Sequence, residues 1–312
     1  MSIRSRAATL FGTLTLAALS AWGPAAPAQA ASVTPATAAA TASPATLDPS
    51  SAHARTRYLA LGDSLAAGHQ PDRADRGHGG YVGHVLDALR DSRRTRLTNL
   101  ACSGETSVTL VEGGVCSYPH GSQLAEAVDR LRRHPGTFRL ITLDIGANDV
   151  VSCASGSEID LRCIQAGLTN VSVRLRAALA ALRLAAPGVP IVVLNYYDPI
   201  LAAWLLGPTG QAVAAKSVEL LQTLNGIIAV SAAAAGATTA DVATAFASTD
   251  VSVVWLPGFG RVPLNVKRIC GWTWICDRGD IHANARGYAV MGAAVVAVLP
   301  SATRVASSRA AA

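Results

Sequence analysis

The sequence predicts an α/β domain built on a parallel β-sheet with helices covering both faces. Three observations carry that prediction. Short apolar runs alternate with helical patterns between residues 57 and 300, no internal repeat interrupts them, and half of the 312 residues are hydrophobic against 15% charged. Strand and helix in alternation imply parallel pairing, because each crossover helix carries the chain back to start the next strand. The composition supplies a sizeable core and excludes global disorder.

The elements follow in order. Tyr58-Leu59-Ala60-Leu61 reads as the first strand and ends at Gly62, and Leu97-Thr98-Asn99-Leu100 reads as the second. Leu140-Ile141-Thr142-Leu143-Asp144-Ile145 is the third, and Ile191-Val192-Val193-Leu194-Asn195-Tyr196, the most β-branched, is the fourth. Thr238 to Val242 is a fifth candidate. Helical patterns lie between and after them, at Tyr81–Asp91, Gln123–Arg133, Asp160–Ala186, Gln211–Ala235 and Asn284–Leu299. Ligands of such sheets bind beyond the carboxyl ends of the strands, which points at Ser64, at Cys102 to Glu105 and at Gly146 to Asp149 together.

The flanks read differently. Arg4 and Arg6 precede an apolar run from Ala7 to Trp22, and Ala28-Gln29-Ala30 offers a small-x-small cleavage site. This is the pattern of a signal peptide over residues 1–30, and the run is short of the roughly 20 residues a membrane span needs. Residues 31–56 are Ala, Thr, Ser and Pro with little to bury, hence a flexible spacer, and residues 301–312 form a polar, Ala-rich tail expected to be disordered. The expectation is a secreted protein with no stable membrane span after cleavage. Export fits the six cysteines, Cys102, Cys116, Cys153, Cys163, Cys270 and Cys276, which fall in three close sequence pairs. Sequential disulfides are the simplest pairing, each worth about 2–3 kcal/mol in the chain-entropy treatment. No C-x-x-C occurs and no His is suitably spaced, so a zinc site is not expected.

A formal charge of +6 could suit a polyanion. However, the arginines are scattered apart from Arg90, Arg93, Arg94, Arg96 and Arg130, Arg132, Arg133, and no stacking aromatics interleave with them. Solvated helix faces are the better reading, and nucleic acid is not an expected partner.

Four sites could carry chemistry. Ser64 follows a strand and Gly62 and opens a helical segment, where its N–H would lie at a helix N-terminus that favours a developing anion. On this turn alone a helix cap is the better reading. Gly104 follows the second strand and could present a bare N–H. Gly146-Ala147-Asn148-Asp149 follows the third, and the Asn148 amide could donate to an oxyanion. Asp280-Ile281-His282 precedes the last helix, and a carboxylate two residues before a His can orient and charge-stabilise its ring. Of the seven histidines only His282 has this setting; His53 lies in the spacer, and His69, His78, His84, His120 and His134 read as structural.

Together these blocks resemble the SGNH, or GDSL-type, hydrolase family, in its secreted esterase/lipase branch. The order Gly62-Asp63-Ser64, Gly104, Gly146-Ala147-Asn148-Asp149, Asp280-Ile281-His282 matches the family's, and Gly287-Tyr288 matches its late Gly-Tyr. The resemblance implies a flavodoxin-like three-layer sandwich with a central five-stranded parallel sheet. It also implies hydrolysis of esters or thioesters by Ser64 and His282 without metal or cofactor, with an oxyanion hole of the Ser64 and Gly104 N–H groups and the Asn148 amide. Asp149 is then expected to brace the turn that aims Asn148. One departure stands out. The family's acid lies three residues before the His, where this chain has Gly279, so Asp280 is the first choice and Asp277 or a backbone carbonyl the alternatives.

No Gly-x-Ser-x-Gly elbow, His-Glu-x-x-His, P-loop or dinucleotide glycine fingerprint occurs. The expected activity is cleavage of a small-molecule or lipid ester by a monomer. An inactive surface-polymer binding module and an acyltransferase are the rivals. Asn195 to Pro199 is expected at the cleft rim. Val251–Cys276, with Trp255, Phe259, Trp272 and Trp274, is either an apolar lid or a self-packed loop.

Overall fold

The computed structural model describes residues 56–75, 77–89, 95–155, 158–300 and 303. The expected signal peptide, nearly all of the spacer, His53, Arg90, Arg93, Arg94 and the tail apart from Thr303 lie outside these residues. Thr56, read as the end of the spacer, instead opens the first strand.

Five parallel strands form the central sheet: β1 (Thr56–Gly62), β2 (Thr95–Asn99), β3 (Phe138–Asp144), β4 (Ile191–Leu194) and β5 (Thr238–Ala240). Their spatial order is β2-β1-β3-β4-β5, the flavodoxin-like order, which leaves β1 and β3 side by side in the middle. Tyr58 to Leu61 and Leu140, Ile141 and Leu143 are fully buried, as a strand covered on both faces requires. Among the described residues eleven helices surround or extend the sheet: α1 (Ser64–Ala67), α2 (Gly80–Leu89), α3 (Ser107–Glu112), α4 (Gln123–Arg133), α5 (Asn148–Val151), α6 (Leu161–Ala185), α7 (Pro208–Ala234), α8 (Val242–Ala245), α9 (Leu264–Trp272), α10 (Ile275–Arg278) and α11 (Ala285–Val298). The α2 helix packs on α11, while α6 packs on α4 and α7, giving a helical layer on each side. By length and composition α7 could cross a membrane. In the fold it lies against α6 and the 3₁₀ segment Pro199–Leu206, with Leu224, Ile228 and Ala232 buried.

The strands end where polar side chains take over backbone duties. Expected to run to Tyr196, β4 stops at Leu194 because Asn195 turns to bond the Asp241 carboxylate and the Ala243 N–H. The fifth strand stops at Ala240 because Asp241 caps α8. The long stretch before the last helix contains an antiparallel hairpin, β6 (Val253–Leu256) with β7 (Gly260–Pro263), then α9 and α10. The short strands β8 (Thr273–Trp274) and β9 (Asp280–Ala283) then pair antiparallel.

The disulfides are sequential, Cys102–Cys116, Cys153–Cys163 and Cys270–Cys276. Arg130 and Arg133 pair one turn back with Glu126 and Asp129, so that basic group is a solvated helix face.

Candidate active site

Ser64 is the first residue of α1, directly beyond β1, and is buried apart from its accessible edge. Asp63 caps the helix, accepting from the Leu65 N–H at 2.9 Å. As the first helical residue Ser64 has no intrahelical acceptor for its own N–H. Gly62 makes the turn possible. Its φ is +138°, and a Cβ there would lie 2.4 Å from the Asp144 carbonyl oxygen, so no side chain fits.

His282 meets Ser64 from β9, with Nε2 2.8 Å from Oγ. Its Nδ1 lies 2.7 Å from Asp280 Oδ1, and the same oxygen accepts the His282 backbone N–H at 2.8 Å. The two-residue spacing works because this segment is a strand, where residues i and i+2 share a face. Gly279 takes the left-handed cap of α10 with φ +68°, a place poorly suited to a carboxylate-bearing residue. Burial opposes ionisation of Asp280, but the hydrogen bonds from His282 outweigh it and hold the carboxyl below its usual range. Asp277 is exposed and pairs with Arg278.

Asn148 opens α5 and donates through Nδ2 to the Glu105 carbonyl at 2.9 Å, leaving its second amide N–H for another acceptor. Asp149 accepts from the Ser107 N–H at 2.7 Å and from its hydroxyl, so the turn after β3 is tied to the loop after β2 at two points. Gly104 lies in that loop and is exposed. The loop itself docks on the end of β1, where the Cys102 N–H donates to the Gly62 carbonyl at 3.0 Å.

A cavity of about 370 Å³ opens beside the serine. Ser64, Asn148 and His282 line one part, and Val150, Ile164, Leu168, Leu220, Leu221 and Leu224 give an apolar remainder. Tyr196 to Pro199 contribute to the wall, whereas Gly104 and Asn195 do not. No residue of Val251–Cys276 lines it, so that segment is not a wall of this cavity.

Several residues that sequence reasoning passed over hold the site. His69, read as structural, sets its ring 4.2 Å from that of His282 at a tilt of 47° and places Nε2 3.7 Å from Asp280 Oδ2, while its Nδ1 bonds Asp75 at 3.0 Å. A bare His in a polar segment gives no signal of this. Gln123, read only as a helix start, is fully buried. It accepts from the Gly62 N–H at 2.7 Å and donates to the Gly62 carbonyl and to Glu105. Tyr197 donates to the Ile281 carbonyl at 3.0 Å, and Gln70 donates to that of Ala283, so β9 is pinned on both sides of His282.

Beneath the turn, Asp63 and Asp144 face one another, with Tyr196 donating to Asp63 at 2.8 Å and Tyr81 donating to Asp144. Burial raises both carboxyls, and the charge of Asp63 raises Asp144 further, so Asp144 is the one that keeps a proton. Among the described residues, one group brings metal-ligating atoms within 4.8 Å of each other: His69, Asp280 and His282. Both nitrogens of His282 are already engaged there, by Ser64 and Asp280.

The profile of the GDSL-like lipase/acylhydrolase family matches residues 60–290. The chain belongs to that family. Solved structures with a similar fold include an extracellular lipase from Streptomyces rimosus, at 22% identity and TM-score 0.47, covering 77% of this chain and 99% of the other. Another is phospholipase A1 from Streptomyces albidoflavus NA297, at 22% identity and TM-score 0.42, covering 70% and 99%. A lipase from a goat rumen metagenome follows at 16% identity and TM-score 0.48, covering 78% and 96%. Among curated proteins none matches the sequence. Family membership makes hydrolysis the chemistry to derive from this GDSL-type site.

Proposed function

We propose that this GDSL-family chain is a secreted, monomeric carboxylic ester hydrolase of the esterase/lipase type, acting through an acyl-enzyme on Ser64. The observation that supports this best is the unbroken chain from Ser64 Oγ to His282 Nε2 at 2.8 Å and from His282 Nδ1 to Asp280 Oδ1 at 2.7 Å. In this reading His282 takes the serine proton as Oγ attacks the ester carbonyl carbon, and Asp280 holds the ring and stabilises the imidazolium. The negative charge on the former carbonyl oxygen is met by the Ser64 N–H, the free Asn148 amide N–H and the Gly104 N–H. His282 then protonates the departing alcohol. A water activated by the same ring releases the acid and restores Ser64.

The apolar cavity beside Ser64 suits the acyl portion of a small-molecule or lipid ester. Three disulfides fit an oxidising, extracellular setting. A binding module would have no use for a serine held by an imidazole with an ionised carboxylate behind it. An acyltransferase shares the first half-reaction and would differ only in the acceptor.

Fluorophosphonate labelling with p-nitrophenyl butyrate turnover tests the reading. The wild type is expected to label on Ser64 and to turn over, and Ser64→Ala to lose both. Full turnover in Ser64→Ala sinks the proposal. Asn148→Ala should lower kcat by roughly 10²–10³ with little change in KM, because its donor acts on the transition-state oxyanion.

A further inference from the structure

Among the Phe, Trp and Tyr residues described, only Trp255 and Phe259 are exposed, at 66% and 54%, and both sit on the β6–β7 hairpin. The alternation of the hairpin explains why. Val254 and Leu256 turn toward the domain, whereas Val253 and Trp255 turn outward, at 58% and 66% exposure. Phe259 stands in the Pro257-Gly258-Phe259-Gly260 turn, and Arg261 lies directly across from Trp255 and is exposed. The hairpin takes no part in the cavity beside Ser64. Its outward apolar face therefore serves something outside the catalytic cleft.

The charge within the stretch itself has one sign. Residues 251–276 carry Arg261, Lys267 and Arg268 and no Asp or Glu. Of the acids that bracket the stretch, Asp277 pairs with Arg278, and Asp250 is exposed at the base of the hairpin, where it accepts from the Ser252 N–H. Lys267 is exposed, and the Arg268 guanidinium lies over the Trp272 ring at 4.3 Å. A protruding Trp and Phe beside unpaired-sign cations match the interface between acyl chains and anionic headgroups, where amphipathic rings settle and basic side chains meet phosphate. A protein partner fits less well. At about 150–250 Å² per aromatic, two rings with the exposed Val251 and Val253 supply on the order of 600 Å², under the roughly 800 Å² per partner of a stable interface.

We propose that the β6–β7 hairpin anchors the protein on an anionic lipid surface, with Trp255 and Phe259 in the headgroup boundary and Arg261 and Lys267 on headgroup phosphates. Binding does not rest on the esterase reading; its use, keeping the cleft near lipid esters, does.

The test is co-sedimentation of the full chain with vesicles of phosphatidylcholine alone and of phosphatidylcholine with 30 mol% phosphatidylglycerol, the two compositions used as probes. The wild type should bind the phosphatidylglycerol vesicles more tightly. Trp255→Ser with Phe259→Ser should weaken that binding at least tenfold and leave turnover of soluble p-nitrophenyl butyrate unchanged, which also reports correct folding. Arg261→Gln with Lys267→Gln should remove most of the preference for phosphatidylglycerol. Absence of wild-type binding to both vesicles overturns the proposal, as does unaltered binding by the aromatic double variant. A shift of that variant from dimer to monomer with vesicle binding intact would assign the face to a second copy instead. Ser64→Ala separates the two claims: it should bind vesicles like the wild type while losing turnover, and turnover retained there would count against the esterase reading alone.

Discussion

Asp63 and Asp144 lie buried beneath the Ser64 turn, whereas Asp280 stands partly exposed beside His282, and the same functional group behaves oppositely in the two places. The lower pair has no cation within hydrogen-bonding reach among its named partners, only tyrosine hydroxyls and backbone N–H groups. Burial therefore wins, both carboxyls are raised, and one proton stays on the pair. Asp280 is less buried and accepts two hydrogen bonds from His282, so the bonds win and the carboxylate stays charged. A pair that shares one proton can fix a turn; the carboxylate of Asp280, in contact with the His282 ring, can support an imidazolium.

The sharpest way to break this contrast is at Asp280. Asp280→Asn keeps the shape but not the charge, and it can stabilise the wrong ring tautomer of His282. The expected loss in kcat is roughly 10³–10⁴, while Asp277→Asn should stay within about twofold of wild type. Steady-state p-nitrophenyl ester kinetics on both variants decide the matter. Near-wild-type rates in both would return the role to a backbone carbonyl.

Next comes the lower pair. Asp144→Ala leaves the Tyr81 hydroxyl without its acceptor and Asp63 without its companion, all of it buried, and is expected to cost about 3–5 kcal/mol in urea unfolding. Asp144→Asn retains an acceptor for Tyr81 and should be much milder. The pH dependence distinguishes the two states of the group. Folded Asp144 holds its proton where the unfolded chain has released it, so its contribution to stability falls as pH rises above about 4. Asparagine cannot titrate, so Asp144→Asn should flatten that part of the stability curve.

These differences also show what a sequence can disclose. All five strands and the five long helices were legible, because β-branched runs and 3.6-residue periodicity are local properties. The sheet order came from the family resemblance and agrees with the structure. The 3₁₀ segment Pro199–Leu206 was not legible, since a short, uniformly apolar run has no period to read, and neither was the β6–β7 hairpin, whose strands are only four residues each. The Asp280–His282 contact was foreseeable from spacing once β9 is a strand. The roles of Gln70, Gln123 and Tyr197 depend on contacts across 213, 61 and 84 residues, to Ala283, Gly62 and Ile281, and that of His69 on the equally distant His282. No local pattern encodes such partners.

Asp198 sharpens the contrast from a third position, in the wall of the cavity. It is as buried as the lower pair, but it accepts from the Ser217 hydroxyl at 2.7 Å and the Ile200 N–H at 2.9 Å. Burial is the larger influence and the hydrogen bonds oppose it, leaving the carboxyl raised to about 6. Against an unfolded value of about 3.9, a group raised in the folded state lowers stability as pH climbs between the two values and has no further effect above them. Two units correspond to no more than about 3 kcal/mol. Asp198→Asn removes this titration and, above about pH 6, gives up the charge-assisted bonds from Ser217 and Ile200. Relative to wild type, the variant should therefore gain stability between about pH 4 and pH 6 and run parallel above pH 7. Thermal melts across that range read the gain as a few degrees to about ten at most. A constant offset at all pH values would mean that Asp198 stays ionised throughout, with its hydrogen bonds outweighing burial as they do at Asp280.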